Sequence, residues 1–338
     1  MRHHLLIALL AIAPFSVLAA DDTDPAHPEG GLWLGASVSY DITSRLSTEV
    51  EAGARLESGF STFDRYDAAF GLQYKALKWL KVGAGYDFIR DYSAGEGPTV
   101  VYKKDPNSPD GIRHDSDSNS VVNGYNVEGD YWRTKHRVYV DLTEKWKVGR
   151  FGFSLRERYQ FTHYAPVSDV EFKYRDELER LPSVGYTSPW AGAHADYVPA
   201  GVASFVGPYV DEYGDFYWYG LTDIKAKDSK SKHYLRTRLA VDYNIRHCPV
   251  TPFVSYEPAF DLGDSFSVVR HRAMAGIDWN FTRDKRHTFT FAYLYQHGAQ
   301  EEIGSSDLHV VSIGYKLSLE SPRAKAQRKA RKKAKKDH

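Results

Sequence analysis

The stretch Leu46-Ser-Thr-Glu-Val-Glu-Ala-Gly-Ala-Arg-Leu-Glu57 decides the fold. Leu46, Val50, Ala52, Ala54 and Leu56 are apolar, while Ser47, Glu49, Glu51, Arg55 and Glu57 stand between them. Successive side chains of a strand point to opposite faces, so this segment has one greasy face and one charged face. A soluble two-sheet sandwich also alternates, but long strands with charges filling one face suit a wall between lipid and water. The preceding segment has the same period: Leu32, Leu34, Ala36, Val38, Tyr40 and Ile42 alternate with Trp33, Gly35, Ser37, Ser39 and Asp41.

Working outward, alternation continues through 65–75, 80–90, 133–142 and 150–164, and resumes in 234–245, 250–260, 268–280, 288–296 and 308–319. With the first two, these make eleven readable strands. Bacterial barrels usually have an even number, so a further strand is expected within the poorly patterned stretch 165–232. The expectation is an all-β fold, a transmembrane antiparallel up-and-down β-barrel of about twelve strands. The links near residues 43, 76, 145, 247 and 283 are short, and the long ones, 93–131 and 165–232, alternate with them. Short turns lie on the periplasmic side and long loops outside, which makes the two long links external loops. With eleven strands the chain would enter the barrel from outside, unless a strand is missed or residues 21–31 thread the lumen.

The ends and the composition agree with export. Arg2 and two histidines precede an apolar run from Leu5 to Leu18, and Ala19 and Ala20 precede Asp21. That is the layout of a secretory signal over residues 1–20, followed by an N-terminal segment 21–31, a barrel 32–319 and a basic tail 320–338. Beyond residue 20 no apolar run is long enough for a spanning helix. Cys248 is the only cysteine, so no internal disulfide forms. Aromatic residues make up 14% of the chain although mean hydropathy is −0.51, a combination that fits a wall wet on one side. Trp79, Trp146, Tyr243 and Trp279 fall by the short turns, and Tyr92, Trp132, Tyr164 and Tyr295 by the long links, as two interfacial girdles would.

Residues 323–338 hold nine Lys or Arg and one Asp, so with Arg2 set aside the stretch 21–322 carries nine more acids than bases. The tail has no apolar face and its like charges repel, which predicts disorder when free. An exported chain meets little nucleic acid; lipid headgroups and anionic periplasmic polymers are the partners the tail fits, if it is more than solvated chain.

Ser154-Leu-Arg-Glu-Arg-Tyr159 and Tyr234-Leu-Arg-Thr-Arg-Leu239, with the closing Val311-Ser-Ile-Gly-Tyr-Lys-Leu317, are similar to an uncharacterised family of bacterial outer-membrane barrels, a domain of unknown function with Glu/Arg-bearing strands. The resemblance spans roughly residues 31–319. It implies a barrel in the bacterial outer membrane, with outer-membrane lipid, lipopolysaccharide and the barrel-insertion machinery as partners. It brings no catalytic motif and no cofactor. Such barrels usually end on an aromatic residue that closes the last strand. Here a basic tail follows Leu319, so an insertion signal would have to be read internally.

The wet phase of the strands is crowded with charge. Alternation turns Arg55, Arg65, Arg137, Arg156, Arg158, Arg236, Arg238, Arg270 and Arg272 inward, together with Glu49, Glu51, Glu57, Asp67, Asp87, Asp141, Asp242, Glu257 and Asp278. Buried charge has to be paired. The balance therefore reads either as a ladder of cross-strand ion pairs filling a narrow barrel or as a lumen guiding solutes between Arg and acid. The function expected is a porin-like or solute-binding barrel for small polar molecules. The alternatives are a rim-located lipid-modifying hydrolase and a structural surface protein with a lumen plugged by ion pairs. The hydrolase would need a serine such as Ser267 or Ser312 beside one of His163, His233, His271, His297 or His309, which fall near the outer ends of strands. Glu157 falls on the apolar phase, as a bulge or a rim position would allow. In the longest link, Tyr209, Tyr213, Tyr217, Trp218 and Tyr219 stand among carboxylates; they could stack on a sugar, constrict the lumen or pack on the rim. Asp115, Asp117 and Asn119 place oxygens at alternate positions as a calcium loop begins, but Ser120 stands where such a loop needs glycine and Asn126 where it needs an acid. A solvated loop is the alternative there.

Overall fold

The structure is a computed structural model and describes residues 29–57, 62–95, 98–175, 209–210, 216–217, 220–263, 266–282, 284–298 and 307–334. The expected signal segment lies outside these. Eleven strands close into a barrel. In chain order they are β1 (Glu29–Asp41), β2 (Leu46–Glu57), β3 (Thr62–Lys75), β4 (Leu80–Ser93), β7 (Tyr131–Val148), β8 (Phe151–Tyr164), β13 (Lys230–Tyr243), β14 (Val250–Asp261), β15 (Ser267–Asn280), β16 (His287–Gly298) and β17 (Asp307–Glu320). Each chain neighbour in this set is also a barrel neighbour, the up-and-down order.

The eleven strands are those that period two marks out. The expected twelfth is not in the barrel, and the reason is geometric. Antiparallel neighbours alternate in direction, so an odd ring leaves its first and last strands parallel. β1 and β17 pair in parallel from Glu29↔Leu308 to Asp41↔Glu320. The barrel therefore begins at Glu29 rather than 32, at the end where the long links lie.

The wall separates two chemistries. Leu34, Val38, Val50, Phe70, Leu72, Val138, Val140, Leu142, Leu239, Val254, Phe291 and Val311 are all large, apolar and exposed, and all stand on the outward phase. A monomer in water rarely exposes so continuous an apolar surface, whereas hydrocarbon requires it. Closure pairs every strand on both sides and leaves no edge, the condition for β-structure in lipid. Among the described residues no helix is long and apolar enough to cross a membrane.

Near the short turns Trp146 stacks on Phe153 at 5.6 Å, Phe151 lies 4.9 Å from Tyr243 and Trp279 lies 6.0 Å from Phe281. Gly149 turns β7 into β8 at φ 60°, a conformation glycine adopts without penalty. Tyr164 does not join the outer girdle. It is 4% exposed and turns inward, with the ammonium groups of Lys135 and Lys230 4.7 and 5.0 Å from its ring centre. Glu157 faces outward in unbroken register; instead of a bulge, the Thr237 hydroxyl, 2.6 Å away, donates to it.

Glycine sets the inner surface where inward side chains cross it. A Cβ on Gly85 would lie 2.8 Å from the Phe70 carbonyl oxygen and collide with the Tyr139 hydroxyl. Gly85→Ala is expected to cost about 1–3 kcal/mol by overpacking, with part of that loss recovered by Tyr139→Phe. Urea unfolding of the two variants checks this.

The long links are not plain loops. Tyr92–Arg133 and Pro166–Ser229 form a second compact unit. It holds a four-stranded sheet in the order β12-β9-β6-β5, from β5 (Thr99–Tyr102), β6 (Val122–Glu128), β9 (Val167–Arg175) and β12 (Gly220–Lys227). Val127, Phe172 and Tyr174 are its buried core, with Val122, Tyr125, Leu221 and Ile224 packed against them. Burial pushes the Tyr174 phenol up to about 12. Two short strands, β10 (Tyr209–Val210) and β11 (Phe216–Tyr217), pair separately.

The basic tail departs from the expected disorder. Pro322–Ala334 is a helix, α1, because its start is anchored. Pro322 suits the first helical turn, and the Ser321 hydroxyl accepts the Ala324 amide (2.9 Å) while donating to the Ile42 carbonyl (2.7 Å). Arg328 pairs with Asp41 at 2.5 Å and also with Glu320, and the Gln327 side-chain oxygen accepts the Ser44 amide at 2.9 Å. Like-charge repulsion is thus met by contacts at the ends of β1 and β17. Ser321→Ala removes the cap, worth about 1 kcal/mol, and is expected to speed tryptic cleavage within 322–334 while the barrel core resists.

Candidate functional site

Many of the charges that alternation assigns inward line one cavity. An internal cavity of about 330 Å³ is lined by residues of β2, β3, β4, β7, β8 and β13, among them Glu51, Asp67, Tyr139, Arg156 and Arg238. A filled eight-stranded barrel has room for little beyond its own side chains, and porins of sixteen strands hold a channel. Eleven strands fall between.

Pairing is local and uneven. On the arc from β2 to β7, Arg65 forks onto Asp91, one limb at 2.6 Å, and Lys135 joins the same carboxylate. Arg137 reaches Asp87 at 3.3 Å, Arg158 reaches Asp141 at 2.8 Å, and Lys316 holds Glu49 at 2.5 Å. Arg55 lies 3.9 Å from the Trp33 ring centre and Arg272 5.1 Å. Asp91, Lys135 and Lys316 are lumen partners missed in the sequence reading. Asp91 lies one residue past the expected end of its strand, and Lys316 sits on the readable wet phase of β17.

The arc β8-β13-β14-β15 is different. Arg156 and Arg158 stand directly across from Arg238 and Arg236. Besides Asp141, which stands across from Arg158 on β7, Glu257 is 5% exposed and takes both Arg156 (2.8 Å) and Arg236 (Nε to Oε1, 2.9 Å), with Arg272 opposite in register. Arg236 also donates to Gln160 at 3.2 Å and Arg272 to Gln296 at 2.7 Å. The Nε atoms of Arg156 and Arg158 are buried with no hydrogen-bond partner among the described residues; an unmet buried donor costs about 1–3 kcal/mol. Charge that balances in the sum is therefore segregated in space.

The other sequence candidates fare unequally. Tyr209 and Tyr217 are cross-strand partners in the β10–β11 pair; Tyr213, Trp218 and Tyr219 lie outside the described residues. Asp115 accepts the amides of Asp117 and Asn119 at 2.9 and 2.8 Å and the Asn119 side-chain amide at 3.4 Å. Its oxygens close a turn, and these backbone bonds, Asn119 first, hold the carboxyl below its usual range. Among the described residues no three His, Cys, Asp or Glu gather as a metal site would need.

In the same unit Asp110 accepts from Ser108 at 2.6 Å and contacts His114 at 2.9 Å, which raises the His114 pKa above its ordinary value. That contact is complete below the ordinary imidazole pKa and is lost as pH rises through the raised one. An NMR titration is expected to show His114 deprotonating later than an unpaired histidine.

The outward histidines pair with tyrosines. His233 Nδ1 lies 2.7 Å from the Tyr159 hydroxyl and His271 Nδ1 2.6 Å from that of Tyr256, and His309 contacts Tyr293. His297 meets Asp307 at 2.6 Å. The serine beside a histidine is Ser231, whose hydroxyl lies 3.1 Å from His163 Nδ1. Ser312, by its register against Ala292 and Trp33, points into the lumen.

A closed antiparallel barrel with one parallel seam, an apolar outside and a charged inside defines the class: a β-barrel built to stand in lipid. Within it, the chain belongs to the family described as "Protein of unknown function (DUF2490)", whose model matches residues 30–305. Comparison with curated proteins gives no match. Among solved structures, the β domain of the Bordetella autotransporter BrkA is similar at 9% identity, over 80% of this chain and 78% of that one, with a TM-score of 0.35. The NanC porin is similar at 12% identity, over 83% and 92%, also at 0.35.

Proposed function

We propose that this barrel spans the bacterial outer membrane and passes or binds small polar solutes through its lumen. The observation that carries the reading is a polar cavity of about 330 Å³ inside a wall whose outer face is apolar. By the rule that short turns face the periplasm, the second unit and the start of β1 lie outside, and α1 lies on the periplasmic side. There its exposed Lys and Arg would meet anionic lipid headgroups or cell-wall polymers. Lipopolysaccharide would surround the outer half of the wall, and insertion would require the barrel-assembly machinery. The test is swelling of liposomes carrying the refolded mature protein: small sugars and amino acids should enter, and larger oligosaccharides should not. Failure of every small solute to enter would leave a lumen plugged by its own ion pairs, the structural alternative.

The contact between Ser231 and His163 favours a second reading, a lipid hydrolase on the outer wall. Among the described residues no carboxylate or amide orients His163, so the pair lacks the third member of a triad. Phospholipid release by the refolded protein, abolished in Ser231→Ala, would support it; release that persists in the variant would remove it.

A further inference from the structure

We infer that the wall made by β8, β13, β14 and β15 is a binding site for small multivalent oxyanions, solutes bearing carboxylate or phosphate groups. This rests on the passage reading above and gives that lumen its substrate class. Arg156, Arg158, Arg236, Arg238, Arg270 and Arg272 occupy one stretch of wall on β8, β13 and β15, with Glu257 and Asp261 of β14 between them and Asp141 of β7 across from Arg158. Asp242 and Asp278 stand four and six residues nearer the short turns than Arg238 and Arg272, at a rise of about 3.3 Å per residue.

Cross-strand register sharpens the point. Like charges directly opposite one another destabilise a sheet, yet two such pairs, Arg156↔Arg238 and Arg158↔Arg236, stand side by side. On their other sides Arg158 faces Asp141 of β7, and Glu257 of β14 serves the rest, so two acids stand among five guanidinium groups of β8, β13 and β15 (Arg156, Arg158, Arg236, Arg238 and Arg272). Glu257 is already shared by Arg156 and Arg236, while Arg238 and Arg270 make no hydrogen bond or ion pair among the described residues. Two buried Nε–H donors on the same wall, those of Arg156 and Arg158, have no acceptor among the described residues. Arg156, Arg158, Arg236 and Arg238 line the cavity, so their side chains border space that a solute can occupy. Guanidinium groups present forked donors that match carboxylate and phosphate oxygens two at a time. An oxyanion in the cavity would supply the acceptors and the negative charge that the wall lacks. Across the ring, β2 and β3 present Glu49, Glu51 and Asp67, which would hold an anion to the arginine side.

The test uses the full mature protein, refolded, and the double variant Arg238→Gln/Arg270→Gln. Melting is followed in sodium citrate and in sodium chloride of equal ionic strength, and the reversal potential is read in a potassium chloride gradient. For the wild type, citrate should raise the melting temperature, because a ligand that binds only the folded state stabilises it by mass action, and the reversal potential should show anion preference. Both effects should be lost in the double variant, while its melting temperature in chloride does not fall, since mutually repelling charges have been removed. Arg238→Lys, which keeps the charge, should keep the anion preference. Absence of a citrate shift in the wild type overturns the site, as does a shift that persists in the double variant. Conductance without a citrate shift removes the site and leaves passage standing. A citrate shift that Arg238→Gln/Arg270→Gln abolishes, in a barrel that never conducts, upholds the site and removes passage.

Discussion

Glu257→Gln is expected to lower the stability of the refolded barrel by about 3–5 kcal/mol, the scale for removing one partner of a buried charge pair. The carboxylate is 5% exposed and holds Arg156 and Arg236 with Arg272 across from it. Without it, Arg156 and Arg236 lose their ion-pair partner and Arg272 the acid across from it, while Arg158 keeps Asp141. The control is Glu49→Gln. That carboxylate is 27% exposed and pairs with Lys316, itself 42% exposed, so its loss should cost no more than about 1 kcal/mol. Urea unfolding in lipid vesicles separates the two. Citrate should recover part of the loss at Glu257, because an added anion replaces the missing charge. Equal losses at positions 257 and 49 would mean that the arginine wall is neutralised in some other way.

Val140→Arg is expected to cost about 2–4 kcal/mol, the depth-dependent penalty for a cation on the lipid face of a barrel near the bilayer midplane. Val140 is 52% exposed and stands between Val138 and Leu142 on the same outward face of β7. In water a half-exposed valine is replaced by arginine almost without cost. The penalty therefore appears only if lipid covers the wall. Ser37→Lys, on the wet face of β1 across from Glu51, is the matched change and should be near neutral. Equal effects at the two positions would contradict a wall that faces lipid on one side and water on the other.

Much of this was legible in the residues. All eleven barrel strands carry period two, since each separates an apolar face from a polar one, and twelve of the charges assigned inward by phase line the internal cavity. The strand count was not legible, because an even ring is only a habit; a parallel β1–β17 seam closes an odd one. The second unit was missed for a local reason. Val170, Phe172 and Tyr174 alternate with Glu171, Lys173 and Arg175, but over a single short strand whose partners lie far away in sequence. Tyr164 was misplaced because its position by a long link outweighed its phase, one residue off the outward His163. The tail looked disordered because its anchors, Asp41 and Ser44, lie some 280 residues earlier.

The candidate site shows the same limit. Composition counts arginines and acids as nearly equal, and equality argues for a ladder. Register places Arg156 against Arg238 and Arg158 against Arg236, which no count reveals. Phase is a property of one strand, whereas segregation depends on which strands are neighbours. That distinction moves the lumen from a self-neutralised filling towards a wall with unmet donors.

The most direct test of a membrane-spanning barrel with a water-accessible lumen is single-channel recording of the refolded mature protein in a planar bilayer. Discrete, reproducible current steps are the predicted result. A bilayer that stays silent, with the protein shown to be folded and inserted, would contradict solute passage and leave the lumen closed by its own charges.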